Sequence, residues 1–168
     1  MSNLHDTKFM NGRMAFKLYA CEKHLENLRH MELMYENILS NKQELKHIRI
    51  DLEIEIDCLI SQMVSAIDCI LAQINNKLGL GIPLHQLSYD RVVSELSSKT
   101  KKIDLLTELS KARQHSNWYW SVIELKNRSL TTSFDINTPS PDLISFLEEC
   151  FNHVKELIKD IKNKESLE

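Results

Sequence analysis

The chain is poor in the two residues that make turns. It has three glycines and three prolines in 168 residues, and a many-stranded fold needs more of both for its hairpins and bulges. That shortage argues against an all-β design. With 42% hydrophobic and 27% charged residues, the composition suits long uninterrupted helices. The four cysteines (Cys21, Cys58, Cys69, Cys150) form no CxxC or CxH spacing, so neither a zinc ribbon nor a disulfide scaffold is expected. An apolar leader is missing at the N-terminus, which points to a cytoplasmic protein with reduced thiols. No run reaches the ~18 apolar residues of a membrane span, and no membrane partner is expected. There is no internal repeat, and no GxSxG, HExxH or Walker pattern.

An excess of positive charge is also missing. The net charge is −3, which excludes a general nucleic-acid coat but leaves room for a local basic patch. Residues 1–84 carry 9 Lys/Arg against 11 Asp/Glu, residues 85–132 carry 8 against 5, and residues 133–168 carry 4 against 8. Only the middle of the chain is mildly basic.

What is present is helical spacing. Residues 1–12 show no sustained period and end in the turn signal Asn11-Gly12, so they are expected to form a flexible arm. From about Met14 to Leu39, Leu18, Cys21, Leu25, Leu28, Met31 or Glu32, Tyr35, Ile38 and Leu39 repeat at three and four residues. A second, longer run from about Gln43 to Leu78 includes Leu52, Ile56, Leu59, Met63, Ile67, Ile70 and Ile74. Its apolar stripe widens after Ile56, which suits a bundle centre or a subunit contact. Asp51–Asp57 alternates like a strand, but the three-and-four spacing runs through it unbroken. Gly79-Leu-Gly-Ile-Pro83 should then form a structural hinge, with Gly in a left-handed C-cap. Ser88 can cap a short helix carrying Val92, Val93 and Leu96, and a second short helix should turn Ile103, Leu106 and Leu109 inward. Ser140-Pro141 is a start signal for the last helix, whose stripe includes Leu143, Phe146, Leu147, Cys150, Val154, Leu157, Ile158 and Ile161. The expected fold is an all-α, antiparallel up-and-down bundle over residues 13–163, with 164–168 frayed. At this length a single domain can bury roughly 70% of the surface its unfolded chain exposes.

Candidate chemistry is sparse. Metal sites in bundles use paired Glu-x-x-His motifs, and only Glu44-Leu-Lys-His47 occurs here. Glu53 and Asp57 could form an acid/base pair if buried, although Arg49 stands one turn earlier to neutralise Glu53. No metal or cofactor is expected. His85 and His115 flank the basic middle and are the histidines best placed to act there. The richest stretch begins at His115. Ser116 or Asn117 can cap a helix in which Trp118, Tyr119 and Trp120 serve as anchoring aromatics, and Lys126, Asn127 and Arg128 form a polar tip.

Trp118-Tyr-Trp-Ser-Val-Ile-Glu-Leu-Lys-Asn-Arg-Ser-Leu-Thr131 resembles the signature helix of the HEPN superfamily, where a Trp-rich turn leads into Arg-Asn-x-Ser-Thr-His. Residues Asp68–Pro83 are similar to the segment that precedes the short middle helices in such proteins. The resemblance implies an antiparallel bundle that pairs as a homodimer, with the polar motifs of both chains meeting in a cleft. It also implies that active members are metal-independent ribonucleases, in which Arg steadies phosphate charge and His assists attack by the ribose 2′-OH. Carried over by position, the Arg falls on Lys126, the Asn on Asn127, the Ser on Ser129 and the His on Thr131. A threonine cannot shuttle protons at pH 7, and Lys is a point charge where Arg is a fork.

The expected function is therefore a HEPN-like, non-catalytic, homodimeric module binding RNA or a partner protein, with Lys126, Asn127, Arg128 and Thr131 lining its cleft. Two rivals stand beside it. One is a ribonuclease whose proton carrier is His115 or His85, and the other is a purely structural dimer.

Overall fold

The computed structural model describes residues 3–38, 42–99, 103–114, 118–129 and 141–166, with side-chain surroundings given for 12–34, 47–99, 103–113, 118–128 and 143–164. These residues form six α-helices and one 3-10 turn, with no strand among them. Two long helices open the chain, α1 (Asn3–Ile38) and α2 (Lys42–Lys77), each about 54 Å long at 1.5 Å per residue. The 3-10 turn Leu84–Gln86 leads to α3 (Tyr89–Lys99), α4 (Ile103–Gln114), α5 (Trp118–Ser129) and α6 (Pro141–Ser166).

Helices α1 and α2 pack along their length as an antiparallel hairpin, and Glu55 fixes their register. One carboxylate oxygen of Glu55 lies 2.6 Å from His24 Nδ1, and the other accepts from Asn27 Nδ2 at 3.1 Å. On another side of α1, Arg29 binds Glu148 of α6, while Glu22 and Glu26 lie across a groove from Asn152 and Lys155. Numbers fall along α1 as they rise along α6, so this pair is antiparallel too.

The wide stripe on α2 is used inside the bundle. It touches α1, α3, α5 and α6, and Leu59, Ile60, Met63, Ile67, Ile70, Leu71 and Ile74 are all buried. Of the two placements that suit such a stripe, the bundle centre is the one observed. Asp51–Asp57, with its strand-like alternation, is helical throughout. One connected core draws on all six helices, with Met14, Cys21 and Leu28 from α1 and Leu147, Cys150 and Val154 from α6 among its members.

The break after α2 is tightly made. The Leu80 N–H reaches Asn75 O at 3.0 Å and the Gly79 N–H reaches Asn76 O at 3.3 Å, the paired bonds that close a helix on a left-handed residue. Gly79 supplies that residue at φ +59, and Gly81 follows at φ +74. The buried Asn75 side chain then grips Ile82, donating to its carbonyl at 2.8 Å and accepting from its N–H at 3.0 Å. Lys99 Nζ donates to Leu80 O at 2.7 Å. The expected hinge is thus a pinned corner. Ser88 caps α3 as expected, its hydroxyl accepting from the Arg91 N–H at 3.3 Å.

Three local expectations need correction. Asn11-Gly12 does not form a turn, because α1 runs back through it to Asn3; a single glycine in a helix costs only about 1 kcal/mol. The C-terminal tail likewise stays helical to Ser166. Ile103 does not face inward but is 72% exposed, and Leu105 with Leu109 fills that place. Helix α4 must meet α3, α5 and α6 together, and this sets its rotation one step away from the simple periodic reading.

Candidate functional site

The three aromatics that open α5 point to three different neighbours. Trp118 is buried and stacks on His153 of α6, with ring centroids 5.7 Å apart and planes 16° apart. Tyr119 is buried against Tyr89 of α3, with centroids 4.5 Å apart and a 41° tilt. The Tyr89 hydroxyl in turn donates to Leu109 O of α4 at 2.5 Å. Burial raises the Tyr119 hydroxyl pKa to about 12 and pushes that of Tyr89 up as well, so both stay neutral donors. Trp120 is 42% exposed and lies under the Arg113 guanidinium, whose carbon sits 5.2 Å from its ring centroid. Arg113 Nη1 also pairs with Asp90 Oδ1 at 2.7 Å. Two of the three aromatics therefore anchor α5, while the third faces outward beneath a cation.

The polar tip occupies the last turn of α5. Lys126 is half-buried, and Asn127 and Arg128 are exposed. Lys126 lies within electrostatic range of Asp68 on α2. Asp68 is exposed as a whole residue, yet loss of water around its carboxyl raises its pKa, with Lys126 pulling the other way. Arg128 Nε sits 3.9 Å from Glu124 Oε1, a solvated pair one turn apart. His85 is exposed on the 3-10 turn, its Nε2 3.2 Å from Gln86 Nε2. His115 and Thr131 lie outside the described residues.

His153 and Arg113 are the site residues that sequence reasoning missed. Nothing local marks the stacking of Trp118 on His153, which joins residues 35 apart in sequence. Arg113 looks like an ordinary last-turn cation on α4 until Trp120 and Asp90 are placed beside it. Next to Trp118 and His153 lies a groove of about 320 Å³ whose walls include Glu108, Lys111, Glu156 and Asp160. Lys111 is bound to Glu108 at 3.0 Å, and the His153 ring nitrogens lie 3.8 Å from Glu149 and 3.6 Å from Glu156. This is an acidic wall, unfavourable to phosphate.

Other candidate chemistry stays dispersed. Among the described residues, no three His, Cys, Asp or Glu side chains gather in a way that could hold a metal ion. All four cysteines are free, and burial raises every thiol pKa, to about 12 for Cys21 and Cys150, so none is a ready nucleophile. No helix among the described residues is long and apolar enough to cross a membrane. No family model, curated protein or solved structure matches the chain.

Proposed function

We propose that the chain is a HEPN-like, non-catalytic helical module that forms a homodimer in the cytoplasm and binds a partner protein. The observation that carries the non-catalytic part is the separation of the groups a ribonuclease would need together. Among the described residues, the imidazole that approaches α5 is His153, at the Trp118 end. Lys126 stands eight residues further along, about 12 Å at helical rise. A proton carrier and a phosphate-steadying cation must both lie within hydrogen-bonding reach of one reacting phosphodiester. The imidazole also sits on an acidic wall.

A protein partner is favoured over RNA because the cations around α5 each have carboxylates nearby: Asp68 for Lys126, Glu124 for Arg128 and Asp90 for Arg113. Phosphate would have to compete with these carboxylates, whereas an exposed Trp under an Arg is a typical protein-contact element. The test is incubation of the purified protein with single-stranded and hairpin RNA, reading both cleavage and binding at two salt concentrations. No turnover and only weak association are expected. Cleavage that disappears in Lys126→Ala or Arg128→Ala would contradict the proposal.

A further inference from the structure

Helix α1 carries a second stripe, opposite the one it buries. Phe16, Tyr19, Lys23, Glu26, His30 and Leu33 follow one another at intervals of three, four, three, four and three, the spacing of a two-helix seam. All six are exposed, with Phe16 at 53%, Tyr19 at 56% and Leu33 at 61%. The seam spans about 26 Å of helix. Its apolar residues lie at the two ends and its charges in the middle, arranged symmetrically about the point between His24 and Leu25.

We infer that this face is where a second copy of the chain docks, with the two α1 helices antiparallel across a two-fold axis at that midpoint. In this arrangement Phe16 of each copy meets Leu33 of the other, Tyr19 meets His30, and Lys23 meets Glu26. Every charged residue of the seam then faces its opposite, twice over. A parallel pairing would set Lys23 against Lys23 and Glu26 against Glu26, which is repulsive in both layers. A two-fold contact must be self-complementary, and an unrelated partner would impose no such palindrome of charge. Within one chain, Lys23 pairs with Glu26 at 2.7 Å and lies over the Tyr19 ring at 5.6 Å, so both charges are already held on this face.

The inference rests on the homodimer proposed above and names its contact, and the test separates the two. Sedimentation equilibrium is run on the full chain from low micromolar to submillimolar concentration. The wild type, Lys23→Glu, Glu26→Lys and the double exchange Lys23→Glu/Glu26→Lys are compared. Each single change places like charges opposite one another and should weaken the dimer by about ten-fold or more, while the double exchange should restore it. Leu33→Lys, at a position that is 61% exposed, should weaken the dimer independently of that charge pair. Far-ultraviolet circular dichroism checks that each variant keeps its helices. A wild-type dimer indifferent to all these changes would overturn this seam and leave the homodimer standing. A wild type that stays monomeric throughout would overturn both.

Discussion

Trp118 and His153 stack almost in parallel, 5.7 Å apart, and so fasten the start of α5 to the middle of α6. Trp120, two residues further on, meets Tyr119 edge-on at 5.5 Å and lies at the surface under Arg113. The two tryptophans therefore play opposite parts. Trp118→Ala should cost about 3–5 kcal/mol of stability, as large aromatic truncations in cores do. Trp120→Ala should cost less, about 1–2 kcal/mol, for its Tyr119 and Arg113 contacts. Urea unfolding of both variants checks the contrast, and equal losses would contradict the assignment of anchor and surface residue.

The corner after α2 should behave as a rigid joint. Asn75→Ala leaves the Ile82 N–H and carbonyl without the amide that pairs with them, and should cost about 2–3 kcal/mol. Gly79→Ala meets no steric obstacle, since nothing lies within 4 Å of the added carbon. Its left-handed φ of +59 alone should cost about 1 kcal/mol. Thermal melts of the two variants, with Gly12→Ala as a helix-interior comparison, would expose the ranking.

Asp68 gives a pH signature. Its carboxyl pKa is raised in the fold, chiefly by burial, so the folded chain holds that proton more firmly than the unfolded one. Its contribution to stability is therefore present in acid and is lost as pH rises through the raised value. Asp68→Asn should raise the Tm modestly at neutral pH, and the gain should vanish as pH falls below the ordinary carboxyl range. A gain that grew toward acid would contradict the burial account.

The thiols should report burial in order. Cys21 and Cys150 are buried, while Cys58 and Cys69 are half-buried. Titration with an aromatic disulfide at mildly alkaline pH should label Cys58 and Cys69 first, with Cys21 and Cys150 reacting only on unfolding. Rapid labelling of Cys21 in the native protein would show that the α1 packing opens readily.

Much of the fold is legible in the sequence because long three-and-four spacing, Gly79, Ser88 and Pro141 each leave a local mark. What stays hidden depends on where helices meet. Asn11-Gly12 resembles a turn, yet the helix on either side carries through it. Ile103 fits an inward period but loses that place to Leu105, because α4 answers to three neighbours at once. On α1 the inward stripe through Cys21, Leu25 and Leu28 and the outward one through Phe16, Tyr19 and Leu33 have similar spacing, so the sequence shows apolar residues without saying which face they serve. The polar tip at Lys126, Asn127 and Arg128 could be read in order, but its neighbours could not. Asp68 reaches Lys126 from 58 residues away, and His153 lies against Trp118 instead.

The central claim is a self-associating module without catalysis, and its most direct test is the mass of the native chain in solution. Light scattering across a concentration series should give twice the 19.6 kDa chain mass at the upper end. A mass that stays at 19.6 kDa throughout would contradict the account.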